Sequence, residues 1–167
     1  MKSMEGIISR KGAEAQSKEN KIGSAIVDAS IEVHRFLGPG LLESVYESAL
    51  AHELALRGLT VACQVPIDVT YKGIRFEHGF RADLIIENLV VVELKSVEQI
   101  SAAHRKQLQT YLRLSDLKLG FLLNFGAPLM KSGIVRTVNG LEESSTLGVS
   151  ASLRESLSFI SNEQIPS

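Results

Sequence analysis

Cysteine is nearly missing from this chain of 167 residues, since Cys63 stands alone, and tryptophan is missing altogether. A single thiol excludes an intrachain disulfide and any cysteine-built metal cage, and it suits a reducing cytoplasm. An excess of either charge is missing as well. With 18 basic and 19 acidic side chains the formal charge is −1, so nucleic acid binding would have to come from a local patch. No apolar run is long enough to span a bilayer. The opening "MKSMEGIISRKGAEAQSKENK" has scattered charge and no apolar stretch of signal-peptide length. The expectation is a cytoplasmic protein of one domain that makes no membrane contact. Zinc-finger spacing, a helix-turn-helix signature and an aromatic RNA-binding platform are all lacking, which argues against sequence-specific reading of nucleic acid.

What is present begins, after a polar segment 1–20 expected to be flexible, with two helical patterns. Ile22, Ile26, Val33 and Phe36 recur at helical spacing between Lys21 and Leu37. "GPG" at 38–40 stops that helix, and it is a boundary rather than a nucleotide loop. A second helix places Leu42, Val45, Tyr46, Ala49, Leu50 and Leu54 on one arc, with Gly58 as its C-terminal stop. β-Branched alternation follows in "TVACQV" and "IDVTY", and Lys72-Gly73 is a turn signal. Ser101 reads as the N-cap of a helix reaching Leu114, and "KLGFLLNF" and "GIVRTV" as two more strands. A tail, 141–167, carries one short helical pattern near "SLRESLSFI" and no chemistry. The order predicts an α/β fold, a small mixed sheet flanked by helices, spanning 21–140.

Within the most apolar stretch, "RADLIIENLVVVELKSV" at 81–97, lie Asp83, Glu93 and Lys95. Alternation puts Glu93 and Lys95 on one face of their strand. An odd-numbered loop over Glu87-Asn88-Leu89 would set Asp83 directly across from Glu93, whereas a two-residue turn would send it to the other face. The odd loop is expected. "LVVV" ahead of Glu93 marks a central strand covered on both sides, where unpartnered carboxylates are costly. Two carboxylates with the main-chain carbonyl of Leu94 form a hard oxygen cluster suited to Mg²⁺ or Mn²⁺. Lys95 would then act on the attacking water or on charge building on a phosphate, the pattern of metal-assisted phosphodiester hydrolysis.

In "SAAHRKQLQTYLRLS", His104, Gln107 and Tyr111 share a stripe, with Arg105, Lys106, Gln109 and Arg113 on the opposite face. Gln107 and Tyr111 together read as a wall of the site. His104 alone is better explained by satisfying a core hydrogen bond. Glu43, in the first turn of the second helix, either complements the helix dipole or serves as a third metal or water ligand. Lys72, Arg75, Arg81, Arg105, Lys106 and Lys131 are candidates for a phosphate-tracking groove, the alternative being a solvated surface. Of these, Arg81, Lys72 and Arg105, with His104, are the nucleic-acid contacts expected.

"GLLESVY" at 40–46 resembles the motif of the GxxExxY proteins. The flanking "EVHRFLGPG", "QVPIDVTYKG", "FRADLIIEN", "VVVELKSV", "HRKQLQTYLRL" and "GFLLNFG" are similar to the same family, over about 22 to 140. That family is assigned to the PD-(D/E)xK nucleases. The resemblance implies a restriction-endonuclease-like core, a metal site at Asp83 and Glu93, Lys95 as catalytic lysine, Gln107 and Tyr111 as an exonuclease-type element, and Glu43 as the helix glutamate some branches add. One departure is that "RAD", not a proline, precedes Asp83. The function expected is an Mg²⁺- or Mn²⁺-dependent nuclease acting on DNA, with RNA as a possible substrate and homo-oligomers possible. The alternative is a catalytically silent nuclease fold that binds nucleic acid or a protein.

Overall fold

The computed structural model describes residues 4–139. The expected C-terminal helix near "SLRESLSFI" lies outside them. The elements in order are helices α1 (Met4–Leu37) and α2 (Glu43–Leu56), strands β1 (Val61–Tyr71), β2 (Ile74–Ile86) and β3 (Val90–Lys95), helix α3 (Ala102–Ser115), strand β4 (Leu119–Asn124), a 3-10 turn at Met130–Gly133 and strand β5 (Ile134–Val138). Helix α1 starts at Met4 rather than near Lys21, so the segment expected to be flexible is helical. It is rich in Ala, Glu, Lys and Gln and lacks proline, so a helix nucleated on the apolar stripe extends through it.

Among the described residues the sheet has five strands in the order β1-β2-β3-β4-β5. Neighbours run antiparallel except β3 and β4, which are parallel and joined through α3. This puts β3 in the centre, as its apolar run requires. β4 is buried along its whole length, and β3 up to Lys95. One layer of core holds Ile22, Ile26, Ala29 and Val33 of α1 and Tyr46, Leu50 and Leu54 of α2 against Leu84, Val92, Phe121 and Leu123. The other layer packs Leu108 and Leu112 of α3 on Ile85, Val91 and Leu122. The α/β sandwich expected from the element order is the architecture observed.

The helical arcs need two corrections. Phe36 is 86% exposed, because Leu37, four residues after Val33, takes the stripe position beside the core. Leu42 and Val45 are also exposed, since α2 buries the strict four-residue series Tyr46, Leu50, Leu54 and Leu42 is only its N-cap. The stop at Gly58 is as expected. With φ at 80°, Gly58 donates its N–H to Ala55 O while Leu59 N–H reaches Leu54 O. These are the two hydrogen bonds of a Schellman ending.

Tyr46 locks the turn between α1 and α2. Fully buried and stacked on Phe125, it donates its hydroxyl to Gly38 O at 2.6 Å and accepts from Leu41 N–H at 3.1 Å. Tyr46→Phe leaves both main-chain groups short of a partner. It should destabilise the protein by about 1–3 kcal/mol in urea unfolding, with the denaturant slope unchanged.

Candidate metal centre

The turn after β2 decides where the carboxylates fall. Glu87 and Asn88 both have positive φ, and the pairing resumes as Ile86↔Val90, Ile85↔Val91 and Leu84↔Val92. Carried one residue further, that register sets Asp83 across from Glu93, as the odd loop predicted. Main-chain pairing between the strands stops at Leu84, however. Leu94 N–H, which a continuing β2 would have bonded, instead donates to Asp83 Oδ2 at 2.9 Å. A side chain has taken over from the ladder.

β2 also turns over at this point. Leu84 packs with the α1–α2 layer and Ala82 with the α3 layer, although residues two apart in a regular strand share a face. Opposite the turnover on β1, between the pairs Cys63↔Leu84 and Val65↔Ala82, Gln64 sits at φ 52°. Asp83 is thereby reached from both layers. Phe80, three residues earlier, stacks on Tyr111 of α3 with centroids 3.8 Å apart. From α2, Glu47 accepts a hydrogen bond of 2.5 Å from Gln64 Nε2, which also lies 3.4 Å from Asp83 Oδ1.

Glu93 is the unusual group. It is 4% exposed, and its Oε1 is buried with no hydrogen-bond partner. Lys95 Nζ stands 3.8 Å from Oε2, too far for a hydrogen bond. Loss of water and, after it, the charge of Asp83 push the Glu93 carboxyl up to about 8, against the opposing pull of Lys95. An orphaned buried carboxylate oxygen beside a second carboxylate is the arrangement that a hard divalent cation would relieve. The residues therefore fit such an ion, and Asp83, Glu93 and the Leu94 carbonyl would be its oxygen donors. Among the described residues no group of three or more His, Cys, Asp or Glu side chains gathers closely enough to hold a metal.

Glu43 is exposed and spends Oε1 on Ser96 N–H at 2.9 Å, while Ser96 Oγ donates to Leu41 O. It ties the start of α2 to the residue following Lys95. From the other side Asn124, 2% exposed, accepts from Val97 N–H and donates to Val97 O. Gly126 has to lack a side chain, since a Cβ there would lie 2.5 Å from Val97 O. The peptide units after Lys95 are thus clamped from both flanks.

Tyr111 is buried and its hydroxyl accepts from Gln107 Nε2. Burial above all, and also the negative charge of Glu93 and Asp83, holds the phenol above its ordinary range, so it stays a neutral donor beside the carboxylates. Gln107 itself is exposed. His104 completes the capping box of α3: its Nδ1 accepts from Ser101 N–H, and its own N–H donates to Ser101 Oγ. A cap, rather than a core contact, explains this histidine.

The basic side chains are dispersed. Arg81 is exposed two residues before Asp83, Lys72 lies over the Tyr71 ring at the β1–β2 turn, and Arg75 is paired with Asp68. Arg105, Lys106 and Lys131 are exposed. Glu47, Gln64 and Asn124 were not singled out in the sequence. Glu47 falls one turn beyond Glu43, the one pointer a helical reading offered.

The profile of the PD-(D/E)XK nuclease superfamily matches residues 20–137. The chain belongs to that superfamily. Its members are nucleases as a class, and the match spans α1 through β5, with Asp83, Glu93 and Lys95 inside it. The crystal structure of SSO0001 is similar at 20% identity over 89% of this chain and 85% of that one, with a TM-score of 0.35. No curated protein matches the chain.

The Glu93 shift has a direct consequence for stability in the absence of divalent ions. Its folded carboxyl titrates near 8 against an ordinary 4.5. Between those values the native state holds a proton that the unfolded chain releases. Stability contributed by this group is therefore complete below about pH 4.5 and is lost as pH rises through about 8. In EDTA, urea unfolding of wild type and Glu93→Gln from pH 5 to 8.5 should show wild type losing ground steadily to the variant. Parallel curves would show that Glu93 is ionised throughout.

Proposed function

We propose that this PD-(D/E)XK protein is a metal-dependent nuclease that hydrolyses phosphodiester bonds in DNA, within the GxxExxY branch of the superfamily. The observation that carries the reading is the partnerless Oε1 of buried Glu93 facing Asp83, with the Lys95 amine alongside. Asp83, Glu93 and Leu94 O would hold Mg²⁺ or Mn²⁺. When bound, the ion supplies charge neutralisation at the phosphate and lowers the cost of deprotonating water.

The chain's own groups do the rest. Lys95 extends from the same strand face as Glu93, so its amine points at whatever occupies the space before the carboxylates. It orients the attacking water and offsets the charge that builds on phosphorus oxygens as the P–O bond to the leaving strand breaks. Tyr111, neutral and partnered by Gln107, would donate toward that same space. Arg81 and Lys72 lie along the β1–β2 hairpin and Arg105 along α3, where phosphates of the strand would run. Glu43, through its hydrogen bond to Ser96 N–H, would keep the segment behind Lys95 from shifting.

The test is cleavage of single-stranded, duplex, flapped and branched DNA, and of RNA, with Mg²⁺ or Mn²⁺. DNA should be cut, and Lys95→Ala should lose at least about a hundredfold in rate while retaining divalent-ion affinity in calorimetry. Asp83→Asn should lose rate and affinity together. Cleavage that persists in Lys95→Ala would remove the lysine from the chemistry.

A further inference from the structure

Asp83 has no regular strand around it to hold its side chain. β2 has left β3 at this residue, and β2 itself turns over here. A carboxylate on such a bend would rotate freely unless both oxygens were engaged. One is: Oδ2 accepts from Leu94 N–H. The other faces Gln64, whose amide nitrogen stands 3.4 Å from Oδ1 and 2.5 Å from Oε2 of Glu47. A primary amide has two N–H bonds, so one can serve each carboxylate. Gln64 is directly across from Asp83 in the β1–β2 register and holds φ at 52°, a conformation that side-chain-bearing residues seldom take. An ordinary extended residue at 64 would alternate regularly along β1. The left-handed one breaks that alternation beside Asp83, and its amide lies between α2 and β2.

We infer that Gln64 and Glu47 are positioning residues for Asp83: Glu47 anchors the Gln64 amide, and the amide fixes the rotation of the Asp83 carboxylate. The inference rests on the reading of Asp83 as a metal ligand. With a donor on each oxygen the carboxylate plane is set, and each oxygen keeps a lone pair free for an ion. Groups that orient a ligand without touching the metal commonly govern affinity by ten- to a hundredfold. Glu47 suits the anchoring role because it is partly buried on α2, whose following turn, at Leu50, is packed into the core. Its place is thus set by the helix rather than by the site.

The alternative is that Gln64 merely shapes the strand. Gln64→Gly separates the two, because glycine accepts the same φ without strain yet has no amide to offer. Calorimetric titration of Mn²⁺ into full-length Gln64→Gly and Gln64→Leu, both expected to remain folded, should show affinity reduced about tenfold or more. DNA cleavage by both variants should be slow at low Mn²⁺ and recover toward wild type as Mn²⁺ is raised, which a general loss of stability would not reproduce. Glu47→Ala should act in the same direction, whereas Glu47→Gln, which keeps an acceptor oxygen, should restore most of the affinity. Wild-type Mn²⁺ affinity in both Gln64 variants would overturn the positioning role while leaving the metal site standing. Mn²⁺ binding that survives Asp83→Asn unchanged would overturn both.

Discussion

At Asp83 a side chain replaces a strand. Leu94 N–H would be satisfied in a continuous sheet by the main chain of β2, but the β2–β3 pairing stops at Leu84 and the Asp83 carboxylate accepts the bond instead. That substitution has consequences on every side. It brings an acid across from Glu93, and it forces the rest of the hairpin to turn over. A buried N–H left unpaired would cost about 1–3 kcal/mol, so Asp83 serves the fold even before it serves any chemistry.

Glu93 is the counterpart. It occupies a position of β3 whose neighbours Val91, Val92 and Leu94 are buried and apolar, and one of its oxygens finds no donor. Burial and the nearby Asp83 both oppose its ionisation, and Lys95 only partly offsets them. Strain of this kind persists in proteins where function requires it. The clamps around the strand end make the same point from the structural side. Glu43 through Ser96, Asn124 through Val97 and the close approach of Gly126 all hold the segment that follows Lys95.

Much of this was written in the sequence, for reasons of period and length. The apolar "LVVV" located the central strand, and the odd loop over Glu87, Asn88 and Leu89, expected over a two-residue turn, is the one whose register joins Asp83 to Glu93. Tyr111 followed from a stripe at three- and four-residue spacing. Other features have no local signal. The hydrogen bond from Leu94 to Asp83 depends on where pairing ends, which no alternation pattern reports. Gln64 reads as an ordinary strand residue, because nothing in its own chemistry announces the positive φ it takes. Glu47 looks like any solvated helix glutamate until α2 is laid beside β1. Phe36 and Leu37 were indistinguishable by hydrophobicity, and only the four-residue step from Val33 separates them.

The proposed function needs a divalent ion between Asp83 and Glu93. Its most direct test is anomalous scattering from crystals grown with Mn²⁺. A single strong peak is expected in contact with one carboxylate oxygen of each residue and with Leu94 O, Glu93 Oε1 no longer without a partner. Crystals saturated with Mn²⁺ in which no peak lies between the two carboxylates, and Glu93 stays uncoordinated, would contradict it.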